Sequence, residues 1–280
     1  MKKIIISLLC LAVLTACSMN NTAKNNTESN ISEATTELKT ETTEPTAKPV
    51  AGIESLSADK IIWGPGNIEN HAQPAEPLRL NKDYFDLGGQ WLLNDEKSVC
   101  LTFDEGYENG FTPSILDTLK EKQVKAVFFV TYDFASDNPE LIKRMIKEGH
   151  TVGNHSYHHY SMDELDTATA KEEITFLHRY IQDNFNYTMS YFRFPKGEFS
   201  EKSLAIAQSL GYTSVFWSFA YADWNPDSQM QPDKALAKIC ESTHSGEIML
   251  LHAVSKTNAD ILGKVIDDVR SQGYNFTTDL

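Results

Sequence analysis

Short apolar runs alternate with segments of helical periodicity from residue 97 to the end of the chain. Seven of these runs, among them 98–103 and 126–130, are predicted as buried strands, and the amphipathic segments between them as helices. Because strands that are apolar on both faces and joined by helices pair in parallel, the pattern predicts an α/β fold around a parallel sheet. Seven repeating units favour a sheet that closes into a barrel over an open sheet.

The N-terminal segment has the features of a bacterial secretion signal. Two lysines follow Met1, and the apolar run 4–14 is too short for a membrane span. The sequence LTAC at 14–17 resembles a lipobox, where the chain is cleaved before the cysteine and the cysteine is lipidated. We therefore predict a lipoprotein signal peptide at 1–17 and an extracytoplasmic protein held to the bacterial cell membrane by a lipid anchor on Cys17. The alternative is an ordinary signal peptide that is cleaved nearby.

Composition divides the rest of the chain into three parts. Residues 18–51 are mainly Thr, Asn, Glu, Ser, Ala and Lys, contain too little apolar surface to fold, and are predicted as a disordered linker. Residues 52–96 mix apolar residues and turn formers without a clear period, and are predicted as an irregular N-terminal extension packed on the domain. The catalytic domain is predicted at 97–280. There, Cys100 and Cys240 are interpreted as isolated thiols, with a disulfide between them as the alternative.

The net charge of the chain limits its partners. The sequence has 39 acidic and 25 basic residues, a formal charge of -14 at pH 7, and no cluster of Lys and Arg. Nucleic acids and anionic lipid surfaces repel such a chain, so we exclude both as charge-driven partners. A neutral glycan is compatible with this charge.

Two adjacent acids stand where the first predicted strand ends. Asp104 and Glu105 directly follow the run 98–103. In parallel α/β folds the catalytic groups lie at the carboxyl ends of the strands. Because neighbouring residues of a strand point to opposite faces, we expect the two carboxylates to have different roles. The alternative is that Asp104 only begins a turn and that Glu105 is solvated.

Three histidines follow the third predicted strand. His155 and His159 have the i, i+4 spacing that places both imidazoles on one side of a helical turn, and His155 with His158 is the competing pair. Two imidazoles and one carboxylate leave a coordination position open, as a hydrolytic metal site requires. The sequence therefore predicts a divalent metal site at these histidines.

Two further strand ends carry the side chains Arg193 and His252, and each of them has a carboxylate available as a partner. Arg193 lies between two phenylalanines, and because a buried guanidinium without a partner is strongly unfavourable, we expect it to pair with Asp104. The alternative is an ion pair without a catalytic role. His252 has the right chemistry for a general acid, and Asp223 could orient it and favour its protonated form.

Five motifs at these strand ends resemble, in the same order, those of the polysaccharide deacetylase family, also called carbohydrate esterase family 4 or the NodB-homology family. The resemblance covers the chain from about residue 97, and the motifs are Thr102-Phe103-Asp104-Glu105-Gly106, His155-Ser156-Tyr157-His158-His159, Arg193-Phe194-Pro195-Lys196-Gly197, Asp223-Trp224 and Leu251-His252. The resemblance implies a distorted (β/α)7 barrel and metal-dependent, hydrolytic removal of acetyl groups from N-acetylated sugars.

The resemblance also implies a role for each matching residue. Asp104 matches the catalytic base, His252 the general acid, Arg193 and Asp223 the residues that orient them, and His155 and His159 the metal ligands. Glu105 replaces the family's metal-binding aspartate and keeps the carboxylate on a longer arm, so it is the expected third ligand. Lys196 stands where many members have tyrosine. The expected metal is zinc, with manganese or cobalt as alternatives.

One branch of the family is more similar to this sequence than the rest. Segments 106–110, 216–218, 223–224 and 252–256 resemble the muramic-acid deacetylases that prepare the muramic δ-lactam of the endospore cortex. Members of this branch also vary at the position of Glu105. The implied partner is the glycan strand of peptidoglycan, deacetylated at N-acetylmuramic acid. The alternatives are deacetylation of N-acetylglucosamine or another glycan, and a catalytically weak lipoprotein that binds the cell wall.

Overall fold

The computed structural model describes residues 50, 52–66, 68 and 70–280. The predicted signal peptide, the predicted lipid anchor on Cys17 and all of the predicted linker except residue 50 lie outside the described residues. Within the described part of the chain, no helix is both long enough and apolar enough to cross a membrane.

Ten strands and eight α-helices occur in the described residues. The strands are β1 (Ile61–Ile62), β2 (Gly89–Gln90), β3 (Ser98–Glu105), β4 (Val127–Val130), β5 (Thr151–Asn154), β6 (Tyr191–Phe192), β7 (Glu198–Phe199), β8 (Thr213–Val215), β9 (Ile248–His252) and β10 (Asn275–Phe276). The helices are α1 (Ala75–Asp83), α2 (Thr112–Glu121), α3 (Tyr132–Asp137), α4 (Pro139–Lys147), α5 (Thr167–Phe185), α6 (Glu201–Ser209), α7 (Pro232–Ser242) and α8 (Lys256–Ser271).

Eight of the strands form one curled parallel sheet. Its order is β10-β3-β4-β5-β6-β8-β2, with β9 also paired to β3. Beyond β8 the chain meets β9, where Phe219 forms a parallel bridge with Met249 and accepts the Leu250 N–H at 2.9 Å. A single bridge rather than a full strand pair joins the sheet here, so the barrel is distorted. The predicted α/β fold, a distorted barrel around a parallel sheet, is confirmed, and the sheet curls into a half-barrel.

Strand β3 lies inside the sheet and is buried along its whole length. It pairs with β4 on one side and with β9 on the other. The strand runs two residues beyond the predicted 98–103, because β9 supplies a ladder partner for Asp104 and β4 supplies one for Glu105. Both acids therefore belong to the strand and do not follow it.

Side-chain caps fix four of the helix starts, those of α3, α5, α6 and α8. Ser200 begins α6 in a reciprocal capping box with Ser203. Helix α8 begins at Lys256, because the Ser255 hydroxyl accepts the N–H of Asn258 and caps the helix.

The regular elements in the described part of the N-terminal extension are β1, β2, α1 and two 3₁₀ helices, Ile53–Ser55 and Phe85–Leu87. Helix α1 was not predicted because only Pro77 and Leu80 of its nine residues are buried, too few to produce a helical period. The extension packs on the domain through Trp91, whose fully buried ring lies parallel to the Phe216 ring at 4.2 Å between centroids.

Both cysteines among the described residues are free thiols. Cys100 is buried in β3, and Cys240 is partly buried in α7. Burial raises the pKa of each thiol to about 12, so neither is a reactive thiolate at neutral pH. The interpretation as isolated thiols is confirmed, and the alternative disulfide is not formed.

Candidate active site

A cavity of about 720 Å³ opens where β3, β9 and the loop after β5 meet. Four of the predicted site residues line it, namely Asp104, His155, His159 and His252. Its other walls include Tyr107, Trp217, Trp224, Lys196 and the segment Trp63-Gly64-Pro65-Gly66 of the extension. Arg193 and Asp223 lie behind the cavity wall and are fully buried.

Asp104 is held in place by Arg193. The Arg193 Nη1 donates to Asp104 Oδ1 at 2.8 Å and to Thr102 Oγ1 at 2.7 Å. Its Nε and Nη2 donate to the carbonyl oxygens of Val215 and Phe216, both at 3.0 Å. The guanidinium is thus bonded to β3 and to the end of β8, and the predicted pairing with Asp104 is present.

The surroundings of Asp104 favour its ionised form. Burial acts to raise the pKa of this carboxyl, but the charge of Arg193, with contributions from His155 and His252, outweighs burial and holds the pKa below its ordinary value. Because Arg193 occupies Oδ1, the second oxygen, Oδ2, is the one that lies 3.6 Å from His155 Nε2. Asp104 therefore presents an ionised oxygen on the side of the histidines.

His155 and His159 come together through a loop, with their ring centroids 4.8 Å apart. The loop is not the predicted helical turn. Ser156 and His159 have left-handed backbones, with φ of 71° and 61°, and the Ser156 hydroxyl accepts the His159 N–H at 2.9 Å. His158 instead bonds Glu173 of α5, its Nδ1 lying 2.6 Å from Oε1, so the competing histidine pair is not formed.

Both imidazoles of this pair are neutral at pH 7. Burial lowers the pKa of His155, and burial together with the neighbouring His155 lowers the pKa of His159 to about 4. The Nδ1 of His155 donates to the carbonyl oxygen of Arg193 at 2.9 Å, so its Nε2 carries the lone pair. Neutral imidazoles with one nitrogen oriented by such a bond are suitable metal ligands.

Glu105 lies apart from the two histidines. Its carboxyl is fully buried and receives a 3.4 Å hydrogen bond from the Thr112 hydroxyl at the start of α2, and its Oε2 has no hydrogen-bond partner. Burial first, and the charge of Glu108 second, raise the pKa of Glu105 well above its ordinary value. Glu105 does not line the cavity, and burial favours the protonated form of its carboxyl.

The predicted three-ligand metal site is therefore not assembled. Glu105 follows Asp104 in a regular strand, and the alternation of side chains directs it away from the cavity. Nowhere in the described part of the chain do three or more His, Cys, Asp or Glu side chains lie where they could hold a metal ion together. His155 and His159 remain as neutral donors at the cavity that fit a divalent metal.

His252 is paired with a buried carboxylate. Its Nδ1 donates to Asp223 Oδ1 at 2.7 Å, and its backbone N–H donates to Asp223 Oδ2 at 2.8 Å. Burial acts to lower the pKa of His252, but the charge and hydrogen bond of Asp223 outweigh burial and raise it above 6.5. The histidine is a proton donor whose second nitrogen, Nε2, is left free by Asp223.

Two groups at this site were not predicted from the sequence. The amide of Asn258 donates to Asp223 Oδ2 at 2.6 Å and to the carbonyl oxygen of His252 at 3.1 Å, and so supports the acid pair. The sequence feature that could have indicated Asn258 is its position three residues after Ser255, which caps α8. Segment 63–66 contains two glycines and a proline, but no local pattern relates it to residues more than a hundred positions away.

Comparisons with known proteins agree with this geometry. A family model described as polysaccharide deacetylase matches residues 93–215. Peptidoglycan-N-acetylmuramic acid deacetylase PdaA of Bacillus subtilis is 40% identical over 237 residues, covering 81% of this chain and 87% of that protein. Its structure, described as a family 4 carbohydrate esterase, superposes with a TM-score of 0.76 over 79% of this chain and 96% of the other, at 39% identity.

A second relative has a different sugar in its name. Peptidoglycan-N-acetylglucosamine deacetylase PgdA of Listeria monocytogenes is 34% identical over 182 residues, which cover 65% of this chain and 38% of that protein. The similarity to PdaA thus extends over more of both chains than the similarity to PgdA.

Proposed function

Because the chain belongs to the polysaccharide deacetylase family, we propose that it hydrolyses N-acetyl groups of peptidoglycan and that its substrate sugar is N-acetylmuramic acid. The observation that carries the proposal is that two groups at one cavity have pKa values shifted in opposite directions. Asp104 is kept ionised beside Arg193, and His252 is kept protonated more readily beside Asp223. Two titratable groups whose pKa values are shifted apart in this way are suited to act as base and acid.

The proposed reaction has two proton transfers. Asp104 Oδ2 accepts a proton from a water molecule as the water oxygen bonds to the acetyl carbonyl carbon. His252 then donates its proton to the sugar nitrogen, the C–N bond breaks, and acetate leaves from a free amine. Arg193 and Asp223 orient the base and the acid and shift their pKa values, since each is buried behind the group that it holds. Such a base typically contributes about 10² to 10⁴-fold to the rate.

Metal dependence is part of the proposal. His155 and His159 would hold a divalent cation, with zinc expected and manganese or cobalt as alternatives, because both imidazoles are neutral and His155 Nε2 is free. A bound cation would supply Lewis-acid polarisation of the acetyl carbonyl. Glu105 is not among the proposed ligands, because its carboxyl is bonded to Thr112.

Lys196 supports muramic acid as the substrate sugar. N-acetylmuramic acid carries a lactyl carboxylate that N-acetylglucosamine lacks, and Lys196 brings an ammonium group to the cavity. A charged hydrogen bond of this kind contributes about 1.5 to 3 kcal/mol. Lys196 also has a left-handed backbone, with φ of 59°, which costs a non-glycine residue roughly 1 to 2 kcal/mol. Strain of this kind is concentrated at functional sites.

The location and the product fit the same proposal. Peptidoglycan lies outside the cytoplasmic membrane, and the lipobox at 14–17 would anchor the protein there through Cys17. Removing the acetyl group from muramic acid frees an amine next to the lactyl carboxyl on the same sugar. These two groups can close to a δ-lactam, as in the spore cortex.

The position of Glu105 favours a second candidate, a catalytically weak lipoprotein that binds the wall. Purified protein should be assayed for acetate release from peptide-free glycan strands containing N-acetylmuramic acid and from N-acetylglucosamine oligomers, each with zinc, manganese or chelator. The proposal expects metal-dependent release from the muramic acid residues, located by mass spectrometry. Release from the oligomers would instead indicate an N-acetylglucosamine deacetylase, and binding without release would indicate the wall-binding lipoprotein.

A further inference from the structure

Part of the cavity wall comes from outside the catalytic domain. Residues 60–66, which we name the strap, belong to the N-terminal extension and precede the part of the chain that the family model matches. Four of the seven strap residues, 63–66, line the cavity together with Asp104 and His252. The strap therefore faces the same space that the substrate must enter.

The strap is bound to the loop that carries Lys196. Strand β1 pairs antiparallel with β7, which places Ile62 opposite Glu198. The Trp63 backbone N–H donates to the carbonyl oxygen of Gly197 at 3.0 Å, and its indole Nε1 donates to the carbonyl oxygen of Trp217 at 2.9 Å. Backbone bonds thus hold the strap against the residue next to Lys196.

Gly197 permits this close approach. Its φ is 70°, and a Cβ at this position would lie 2.9 Å from the Trp217 ring and 3.0 Å from the Trp63 carbonyl oxygen. Both distances are shorter than ordinary contacts, so any larger residue would push the strap away from the loop. The strap and the loop that carries Lys196 therefore pack closely only because residue 197 is a glycine.

A chain of polar contacts connects the base of the strap to Lys196. Lys60 Nζ lies 3.3 Å from Glu198 Oε2 and also pairs with two acids of the segment 163–164, at 3.5 and 2.6 Å. Glu198 accepts a hydrogen bond from the Ser161 hydroxyl, and Ser161 Oγ lies 3.4 Å from Lys196 Nζ. Lys60 thus fixes the carboxylate and hydroxyl beside which the Lys196 ammonium lies.

We propose that the strap is a substrate-binding element of the enzyme, in which residues 63–66 form a wall for the glycan strand and Lys60 positions Lys196 toward the lactyl carboxylate. This inference rests on the proposed function, and it makes Lys60 a positioning residue because it does not line the cavity. Gly64 leaves open space in this wall where the sugar would lie. A Cβ on Gly64 would meet no atom within 4 Å, so there is room for a bulky substituent of the sugar.

The test compares two lysines that hold the extension at different places. Lys60→Met removes the ion pairs of Lys60 with Glu198 and with the acids of segment 163–164. Lys202→Met removes a 2.7 Å ion pair with Glu54 that lies outside the strap. We expect Lys60→Met to raise KM for peptide-free glycan strands about tenfold while kcat stays within about threefold, and Lys60→Arg to restore KM. Lys202→Met should leave both constants unchanged. An unchanged KM in Lys60→Met, or an equal effect of Lys202→Met, would overturn the inference.

A second variant tests the wall formed by residues 63–66 and leaves the ion pairs of Lys60 in place. Gly64→Val adds a side chain into open space, and Gly64 does not have a left-handed backbone, so the fold should persist. We expect a KM for glycan strands raised at least about fivefold, a loss of affinity of about 1 kcal/mol. Glycan affinity equal to that of the parent protein would count against the wall.

Direct binding separates this inference from the proposed function. Dissociation constants for glycan strands should be measured in an Asp104→Asn background, with and without Lys60→Met. A dissociation constant that rises about tenfold with Lys60→Met supports the strap even if the parent protein releases no acetate from any substrate, an outcome in which only the proposed function fails. Equal binding with and without Lys60, in a protein that does release acetate, refutes the strap alone.

Discussion

Asp104 and His252 are register partners, since their Cα atoms stand opposite each other in the parallel ladder between β3 and β9. The proposed base and the proposed acid are therefore placed by the sheet and not by flexible loops. Each is held from behind by a buried group from another part of the sheet edge, Arg193 for the carboxylate and Asp223 for the imidazole. Changing either partner should alter protonation more than position.

Replacement of Asp104 tests the base. Asp104→Asn keeps the shape of the side chain but removes the ionised oxygen, so we expect kcat to fall about 10² to 10⁴-fold. It also leaves Arg193 buried without a counter-charge, which should lower the free energy of unfolding by about 3 to 5 kcal/mol. Acetate release should be measured where circular dichroism shows a folded variant.

The matched control for this change is Asp117→Asn on α2. Asp117 is exposed and forms a surface ion pair with Arg144. Such pairs contribute about 0 to 1 kcal/mol, so activity and stability should both stay close to those of the parent protein. Full activity of Asp104→Asn would require a different base.

Asp223 should determine the alkaline limit of activity. A general acid works only while protonated, and the pKa of His252 is raised above 6.5 because Asp223 outweighs burial. In Asp223→Asn burial prevails, and the pKa of His252 should fall below its present value. We expect the alkaline limb of the kcat profile to move to lower pH while the acidic limb, set by Asp104, stays in place. An unmoved alkaline limb would exclude His252 as the acid.

Residue types at the strand ends were enough to predict which side chains meet in the cavity. Asp104, His155, His159 and His252 line it, as expected of polar residues at the carboxyl ends of parallel strands. Alternation along a strand predicts that Glu105 points away from Asp104, but the sequence does not show whether the strand reaches Glu105. How far β3 continues is decided by the ladder partners in β4.

Long-range contacts explain the other differences between sequence and structure. The histidine pair forms through left-handed residues in a loop, a backbone path that the i, i+4 spacing does not indicate. The strap reaches the cavity by pairing with β7, which lies more than a hundred residues later in the chain. Neither feature has a local periodicity, so neither could be recognised from the sequence alone.

Glu105 should affect stability rather than metal binding. Its pKa is raised well above 4.5, so the folded state keeps a proton that the unfolded state releases as the pH rises above 4.5. Stability contributed by this proton is complete below pH 4.5 and is lost as the pH rises toward the folded-state pKa. Glu105→Gln removes the dependence, so the variant should gain free energy of unfolding relative to the parent protein as the pH rises above 4.5, measured by urea denaturation at several pH values.

The metal affinity of the same variant tests independently whether Glu105 is a metal ligand. Zinc affinity of Glu105→Gln should equal that of the parent protein, because the carboxyl is bonded to Thr112 and not directed at the histidines. His159→Ala is the matched comparison and should lose at least about tenfold in affinity. A similar loss in Glu105→Gln would show that the carboxylate turns to the metal when one binds.

Two tryptophans should separate stability from glycan recognition. Trp91 is fully buried and stacks on Phe216, whereas Trp224 is 58% exposed at the cavity, with its ring centroid 6.2 Å from that of His252. Trp91→Ala should lower the free energy of unfolding by about 3 to 5 kcal/mol, because it removes the contact that packs the extension on the domain.

Trp224→Ala should leave stability unchanged and raise KM for glycan strands about three- to tenfold, since a ring stacked on a sugar contributes about 0.5 to 1.5 kcal/mol. Urea denaturation and acetate release on both variants give the comparison. If Trp224→Ala lost stability and kept its KM, the ring would be part of the core of the domain, and the glycan would have to contact the cavity through Tyr107 and the strap instead.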